Sequence, residues 1–157
     1  MELKNERGDK MSKIHLEFTL WCNPPKHTAQ GSSMVLKNPK TGKYFIGKKS
    51  NSNAIQTKNE LLAMLVPYRP EKPLQGALKC EIRWVYAWRK SETKKNRAKG
   101  EMWCKTKPDC DNICKAFCDC LTRLAFWNDD AQVAVLHFEK LYADTPRIEV
   151  KITEMDV

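Results

Sequence analysis

The sequence predicts a single α/β (α+β) domain in which a mixed β-sheet is covered mainly on one face by two main helices. Three observations predict this fold. Several segments alternate apolar and polar residues with the period of a half-buried strand, and two segments between them carry apolar residues at helical spacing. The chain of 157 residues shows no internal repeat, which suits one hydrophobic core. We therefore expect one domain over residues 1–157, with the highly charged residues 1–12 as a flexible arm.

The first half of the chain predicts a strand, a hairpin and a helix. KIHLEFTLWC alternates, so one face of this strand carries Ile14, Leu16, Phe18 and Leu20. MVLKNPKTGKYFIGKK predicts a hairpin, because the Asn, Pro and Gly in its middle favour a turn. SNAIQTKNELLAMLV has helical periodicity and is stopped by Pro67.

The second half predicts three more strands and the second helix. LKCEIRWVYAW alternates, and its apolar face carries Cys80, Ile82, Trp84, Tyr86 and Trp88. An apolar stripe from about Asn112 to Leu124 predicts a helix. DAQVAVLHFEKLY and PRIEVKITE then predict two strands joined by a turn at ADTP.

The charge of the chain is divided unevenly along its length. Residues 1–107 carry 23 positive and 9 negative charges, whereas residues 108–157 carry 5 positive and 10 negative charges. Residues 89–107 form a basic segment that predicts a solvated loop. A basic region joined to an acidic one suggests a polyanionic partner met by a carboxylate site, although a protein that is merely basic is the alternative. We expect a cytoplasmic protein without a membrane anchor, because no apolar run approaches the length of a membrane span.

Seven cysteines raise the question of a zinc site. Cys110, Cys114, Cys118 and Cys120 lie close together, but their spacing follows turns of one helix rather than the paired pattern of zinc ligands. An odd number of cysteines without a secretion signal also argues against a disulfide framework. We interpret the four as small buried residues of the helix and keep a zinc-stabilised interaction protein as the weaker alternative.

The start of the second helix brings carboxylates together with a lysine. If the chain after Pro108 is extended, Asp109 and Asp111 point to one face, with Asp111 as the helix N-cap. Lys115 opposes the helix dipole, so helix stability alone does not select it. The alternatives are a metal-bound phosphate facing Lys115, or an exposed ladder in which Lys115 pairs with Asp111 and Asp119.

Two further aspartates, Asp129 and Asp130, follow in the turn WNDDAQ. Turns often contain aspartate, so their presence alone is weak evidence. The helix and its short return could bring them near Asp109 and Asp111. Three carboxylates around one point require a cation, and Mg²⁺ prefers oxygen ligands and retains water.

The pattern D-x-D-N-x-x-K-A-x-x-D-x-L-x-x-x-x-F-W-x-D-D-A-Q-V, which runs from Asp109 to Val133, resembles the RusA family of Holliday junction resolvases of bacteria and their prophages. The likeness implies a small α/β domain that works as a homodimer. It also implies that Asp109, Asp111 and Asp130 bind Mg²⁺, with Mn²⁺ as an alternative, and that Lys115 completes the catalytic set. Asp129 is assigned to the turn, and Asp119 to a supporting position.

The expected activity is therefore the magnesium-dependent, symmetric cutting of two strands in a four-way DNA junction, in recombination and repair. We assign contacts with the DNA backbone to the cations of the basic segment: Arg89, Lys94, Lys95, Arg97, Lys99, Lys105 and Lys107. The alternatives are a catalytically silent DNA-binding module and a nuclease with broader specificity for branched DNA.

Overall fold

A computed structural model describes residues 14–26, 33–48 and 52–156, and the expected arm at residues 1–12 lies outside them. Within these residues the chain forms a five-stranded sheet, a separate two-stranded sheet and two long helices. The strands are β1 (Ile14–Leu20), β2 (Ser33–Lys37), β3 (Tyr44–Lys48), β4 (Leu78–Ala87), β5 (Glu101–Trp103), β6 (Val133–Ala143) and β7 (Arg147–Glu154), and the helices are α1 (Ser52–Leu65), α2 (Lys94–Arg97) and α3 (Cys110–Arg123). The single α+β domain with a mixed sheet is confirmed.

The five-stranded sheet has the order β1-β7-β4-β6-β5, and only β4 and β6 run parallel. Strand β4 shows most of the predicted alternation, because Cys80, Ile82, Trp84, Tyr86 and the following Trp88 are buried while Lys79, Glu81 and Arg83 are only partly covered. Val85 breaks the pattern, since it is also buried but packs in a separate cluster with Leu141 and Ala143. In β1, Phe18 and Leu20 are buried in the same way. The period-2 pattern therefore identified the covered face of the sheet correctly.

Helices α1 and α3 cover this apolar face. Leu61 and Leu65 of α1 and Ile113, Phe117 and Leu121 of α3 join one core with the sheet. The ring of Phe117 meets Trp84 of β4 edge-on, with ring centroids 5.5 Å apart. The helical spacing of the apolar residues in α3 thus fixes which side of α3 faces the sheet and leaves Asp111 and Lys115 exposed.

The opposite face of the sheet is charged. The Arg83 guanidinium lies 2.7 Å from Glu101, 3.0 Å from Glu139 and 2.9 Å from Glu149, one carboxylate from each of three other strands. Because the cross-strand neighbours alternate in sign, this face is stabilised in water without a helix to cover it.

Three expectations about local structure need correction. Helix α3 begins at Cys110, earlier than predicted, and its N-cap is Asp109 rather than Asp111. The segment 89–107 is not simply a loop, since it contains the short helix α2 and the edge strand β5. Cys110 is exposed rather than buried, although Cys114 and Cys120 are buried as expected.

The hairpin and α1 agree with their predictions. Strands β2 and β3 pair antiparallel, and the turn uses the Asn38 side chain, which accepts from the backbone of Lys40 at 2.9 Å. Gly42 adopts φ +70°, a conformation that favours glycine. Helix α1 ends at Leu65, two residues before Pro67. None of the described helices is long and apolar enough to cross a membrane.

Candidate active site

Asp109 lies at the N-terminus of α3 with an extended backbone (φ −72°, ψ 144°). Its carboxylate accepts no capping hydrogen bond from the first turn of the helix and instead accepts one from Lys107 Nζ at 2.7 Å. Asp111 lies inside the first turn of α3, so the predicted extended segment that put both aspartates on one face is absent. Both carboxylates are therefore positioned by the first turn of the helix. Asp109 occupies the N-cap position, but its side chain makes no capping hydrogen bond.

A groove of about 580 Å³ runs between α3 and β6. Its charged lining residues are Asp111, Lys115 and Asp119 of α3 and Asp130, which precedes β6. Val133, Leu136 and Phe138 form its apolar side. The structure thus brings four of the predicted residues to one surface, and Asp109 lies outside the groove lining at the end of α3.

Lys115 is exposed on this surface, and no ion pair within 4.0 Å joins it to Asp111 or Asp119 in the described part of the chain. The alternative in which these three residues form a helix-stabilising ladder is therefore not observed. The ammonium group is left available to an anion in the groove, next to the positive end of the helix dipole.

A tight return after α3 brings Asp130 back to the groove. The helix ends at Arg123, and Ala125 adopts φ +58° while the Phe126 backbone N–H donates to Leu121 O at 3.0 Å. Phe126 and Trp127 are fully buried beneath the return. This packing places the following turn beside α3, where Asp130 shares the groove lining with Asp111 but not with Asp109.

Asp129 and Asp130 have different environments although they are neighbours. Asp129 Oδ1 accepts from the Ala131 backbone at 2.8 Å, and this hydrogen bond, followed by its contact with Asp130, lowers the pKa of Asp129. Gln132 closes the same turn by accepting from the backbone of Asp129 at 3.1 Å, and it donates to Leu74 O at 3.1 Å. Asp129 therefore caps the turn, while Asp130 lines the groove.

Lys140 is a buried cation that sequence reasoning missed. Only 8% of it is exposed, and its ammonium donates to the carbonyl oxygens of Thr106 and, at 2.6 Å, of Pro108. No ion pair within 4.0 Å joins Lys140 to a carboxylate of the described residues. Lys140 thus holds the segment that ends at Asp109. Its position between Phe138 and Tyr142 on the covered face was the signal in the sequence.

The donor set suits a hard metal ion only in part. In the described ranges, no group of three His, Cys, Asp or Glu residues lies close enough to hold a metal ion. However, Mg²⁺ is commonly bound by one or two carboxylates together with water and substrate phosphates. Asp111 and Asp130, which share the groove, fit such a site, and DNA would complete it.

The helix cysteines differ among themselves. Burial raises the pKa of Cys120 to about 11, and a hydrogen bond with Cys118 raises the pKa of Cys114. All the cysteines that the structure describes are free thiols. These properties match the interpretation of Cys114 and Cys120 as small core residues.

The cations of the basic segment differ in the contacts that they make. Lys94, Lys95, Lys99 and Lys105 are exposed, and Lys107 pairs with Asp109. Arg97 donates to the backbone oxygen of Arg89 at 2.9 Å, and Arg89 lies 3.2 Å from Glu92, so both arginines also stabilise the segment.

Comparisons with known proteins define the class of this protein as an endodeoxyribonuclease. The family model described as Endodeoxyribonuclease RusA matches residues 28–153. A relative called crossover junction endodeoxyribonuclease rusA, from Lactococcus phage r1t, is 27% identical over 145 residues, which cover 91% of this chain and 99% of that protein. A second relative, "Uncharacterized protein YqaN" of Bacillus subtilis (strain 168), is 29% identical over 150 residues, which cover 89% of this chain and 96% of that protein. The chain belongs to the RusA family of junction-resolving endonucleases, which hydrolyse phosphodiester bonds.

Proposed function

We propose that the protein is a magnesium-dependent, structure-selective endodeoxyribonuclease that resolves four-way DNA junctions by paired phosphodiester hydrolysis. The observation that carries this proposal is the groove along α3 in a chain of the RusA family, where Asp111 and Asp130 line one surface with Lys115, which forms no ion pair with the other described residues. We assign the activity to recombination and repair in the cytoplasm of a bacterium, from a bacterial or phage gene.

In this proposal Asp109, Asp111 and Asp130 hold Mg²⁺, with Mn²⁺ as the alternative. When bound, the ion would make its water more acidic than bulk water and would offset negative charge on phosphate oxygens. Asp109 reaches the site by exchanging Lys107, its present partner at 2.7 Å, for the cation.

Lys115 has the second role. Water attacks the phosphorus, and the opposite P–O ester bond breaks as the new P–O bond forms. Negative charge grows on the non-bridging oxygens of this pentacovalent state, and the ammonium of Lys115 at the positive end of α3 stabilises it. This role requires a cation that no nearby carboxylate neutralises, which is the state of Lys115 among the described residues.

The exposed cations of the segment 89–107 bind the DNA backbone. Lys94, Lys95, Lys99 and Lys105 provide affinity that depends on salt and carries no sequence information. Arg89 and Arg97 keep α2 in place, and Arg97 contributes to binding through its exposed charge.

A homodimer follows from the two-fold symmetry of a four-way junction, which requires two equivalent sites. The hairpin β2–β3 supports this proposal because apolar side chains are exposed on both of its faces. Val35 and Ile46 are 70% and 78% exposed on one face, while Leu36 and Phe45 are 38% and 51% exposed on the other. Exposed apolar patches of this kind mark protein–protein contacts.

The experiment that tests the proposal uses a labelled four-way junction and a linear duplex of the same sequence. With Mg²⁺, the protein should nick two opposing strands of the junction and leave the duplex intact, and EDTA should abolish cleavage. Mn²⁺ should replace Mg²⁺. Binding without cleavage under every metal condition would instead indicate a silent DNA-binding module, and equal cleavage of both substrates would indicate a nuclease of broader specificity.

A further inference from the structure

A second cavity of about 480 Å³ lies next to the candidate active site. Residues from the loop after β1, the end of β4 and the segment before α3 line it, and none of them lines the groove along α3. The two sites meet at Lys107, which lines the cavity and holds the Asp109 carboxylate at 2.7 Å. We call this cavity the β4 cleft.

The lining of the β4 cleft is cationic at its rim and aromatic in its wall. Four cations, Lys26, Arg89, Lys90 and Lys107, line it, and none of its described lining residues is acidic. Its wall includes Tyr86, Trp88 and Tyr142, each less than 10% exposed.

The wall consists of stacked rings and carries polar atoms. Trp88 and Tyr142 stack with an interplanar angle of 16°, and the Arg89 guanidinium lies 5.2 Å from the Tyr142 ring centre. The Tyr142 hydroxyl is 3.1 Å from Thr106 Oγ1. The indole nitrogen of Trp88 is the buried side-chain polar atom that lacks a hydrogen-bond partner among the described residues. Such unsatisfied donors are rare in folded proteins, and Trp88, which carries this one, lines the cleft.

We propose that the β4 cleft binds one unstacked nucleotide of the DNA strand beside the phosphodiester held at α3. This inference rests on the proposed nuclease function and deepens it. Positive charge attracts the nucleotide phosphate, and an apolar aromatic wall suits a base, as in proteins that bind single strands. The cavity lies within the size range of sites for small ligands, so it suits one nucleotide.

The cleft would also contribute to the choice of substrate. Removing a base from a duplex costs unstacking and unpairing energy, which is lower where pairing is already interrupted. A nucleotide at the branch point of a junction therefore enters the cleft more readily than one within a continuous duplex.

An abasic scan of a junction tests this proposal. Each nucleotide near the cut is replaced in turn by an abasic residue, and binding is measured without added metal. We expect one position at which loss of the base weakens binding by the wild-type protein about tenfold, the scale of one base–aromatic contact. If no position responds, the proposal is overturned, and this result needs no variant protein.

A cleft-filling variant identifies where that base binds. Ala87 is exposed and lines the cleft, so Ala87→Trp should fill it without deleting a side-chain contact. Ala77, an exposed alanine just before β4, gives the matched control Ala77→Trp. We expect Ala87→Trp to lose the tenfold response to the abasic position and Ala77→Trp to keep it. If folded Ala87→Trp keeps the abasic response of the wild type, the cleft holds no base. If Ala87→Trp binds the junction more weakly but the wild type shows no abasic response, the cleft holds at most a phosphate. Cleavage of the intact junction by the wild type checks the nuclease function separately.

Discussion

Replacing the buried Lys140 by methionine should destabilise the protein and also disturb its candidate active site. The Lys140 ammonium donates to two backbone carbonyls, Thr106 O and Pro108 O, and both would lose their donor. A hydrogen bond to a charged group contributes ~1.5–3 kcal/mol, so the two together contribute roughly 3–6 kcal/mol. The methionine variant no longer buries a charge, and this gain offsets part of the loss, which leaves a net loss of about 3 kcal/mol. For a chain of this size, that loss lowers the melting temperature by roughly 6–12 °C.

The assay is thermal unfolding of Lys140→Met beside Lys79→Met. Lys79 is 42% exposed and lies 3.5 Å from Glu81, so its loss should change the free energy of unfolding by less than about 1 kcal/mol. Below its melting temperature, Lys140→Met should also cleave junctions more slowly, because the segment that places Asp109 is no longer held. Equal melting temperatures for the two variants would refute the reasoning.

Three further predictions concern catalysis, assembly and acid stability. Lys115→Met should slow cleavage by orders of magnitude without lowering the melting temperature, since its side chain is exposed; a fall in stability at an unchanged rate per folded molecule would give it a structural role. Ile46→Glu should halve the mass measured by light scattering, whereas Lys43→Glu in the same hairpin should not; a monomeric wild type would contradict the dimer. Hydrogen bonding to His137, and then to Arg83, lowers the pKa of Glu139 below 4.5. The ionised carboxylate therefore stabilises the fold above that pH, and the unfolding free energy lost in Glu139→Gln should be largest there and shrink as the pH falls. A loss that does not depend on pH would argue against this carboxylate pairing.

The sheet and the long helices could be predicted because each has a buried face with its own period. Strand β4 alternates buried and partly buried residues from Leu78 to Trp84, and α3 repeats its apolar residues at helical spacing, so burial dictates both patterns. The short strand β5 could not be predicted in this way. Glu101, Met102 and Trp103 are too few to show a period, and their pairing depends on β6, which lies far away in the sequence.

The candidate site was predictable in its residues more than in its geometry. Asp111, Lys115 and Asp130, which the sequence singled out, line one groove, whereas Asp109 does not. Asp109 and Asp111 are equally good N-caps in sequence, and the choice between them depends on tertiary contacts. One such contact is the hydrogen bond from the Lys140 ammonium to the Pro108 carbonyl oxygen, just before α3. Lys140 alternates with Phe138 and Tyr142, which was a signal for the covered face, but lysine is normally exposed, so the pattern alone did not favour its burial.

The adjacent pair Asp129 and Asp130 offers the most direct measurement of the central claim, that carboxylates in the groove along α3 carry out hydrolysis. Asp129→Asn and Asp130→Asn remove the same charge one residue apart, and asparagine still caps a turn as well as aspartate does. Cleavage of a labelled four-way junction in Mg²⁺ should continue in Asp129→Asn and disappear in Asp130→Asn, with junction binding retained in both. Full cleavage by folded Asp130→Asn, or an equal loss in both variants, would contradict the account.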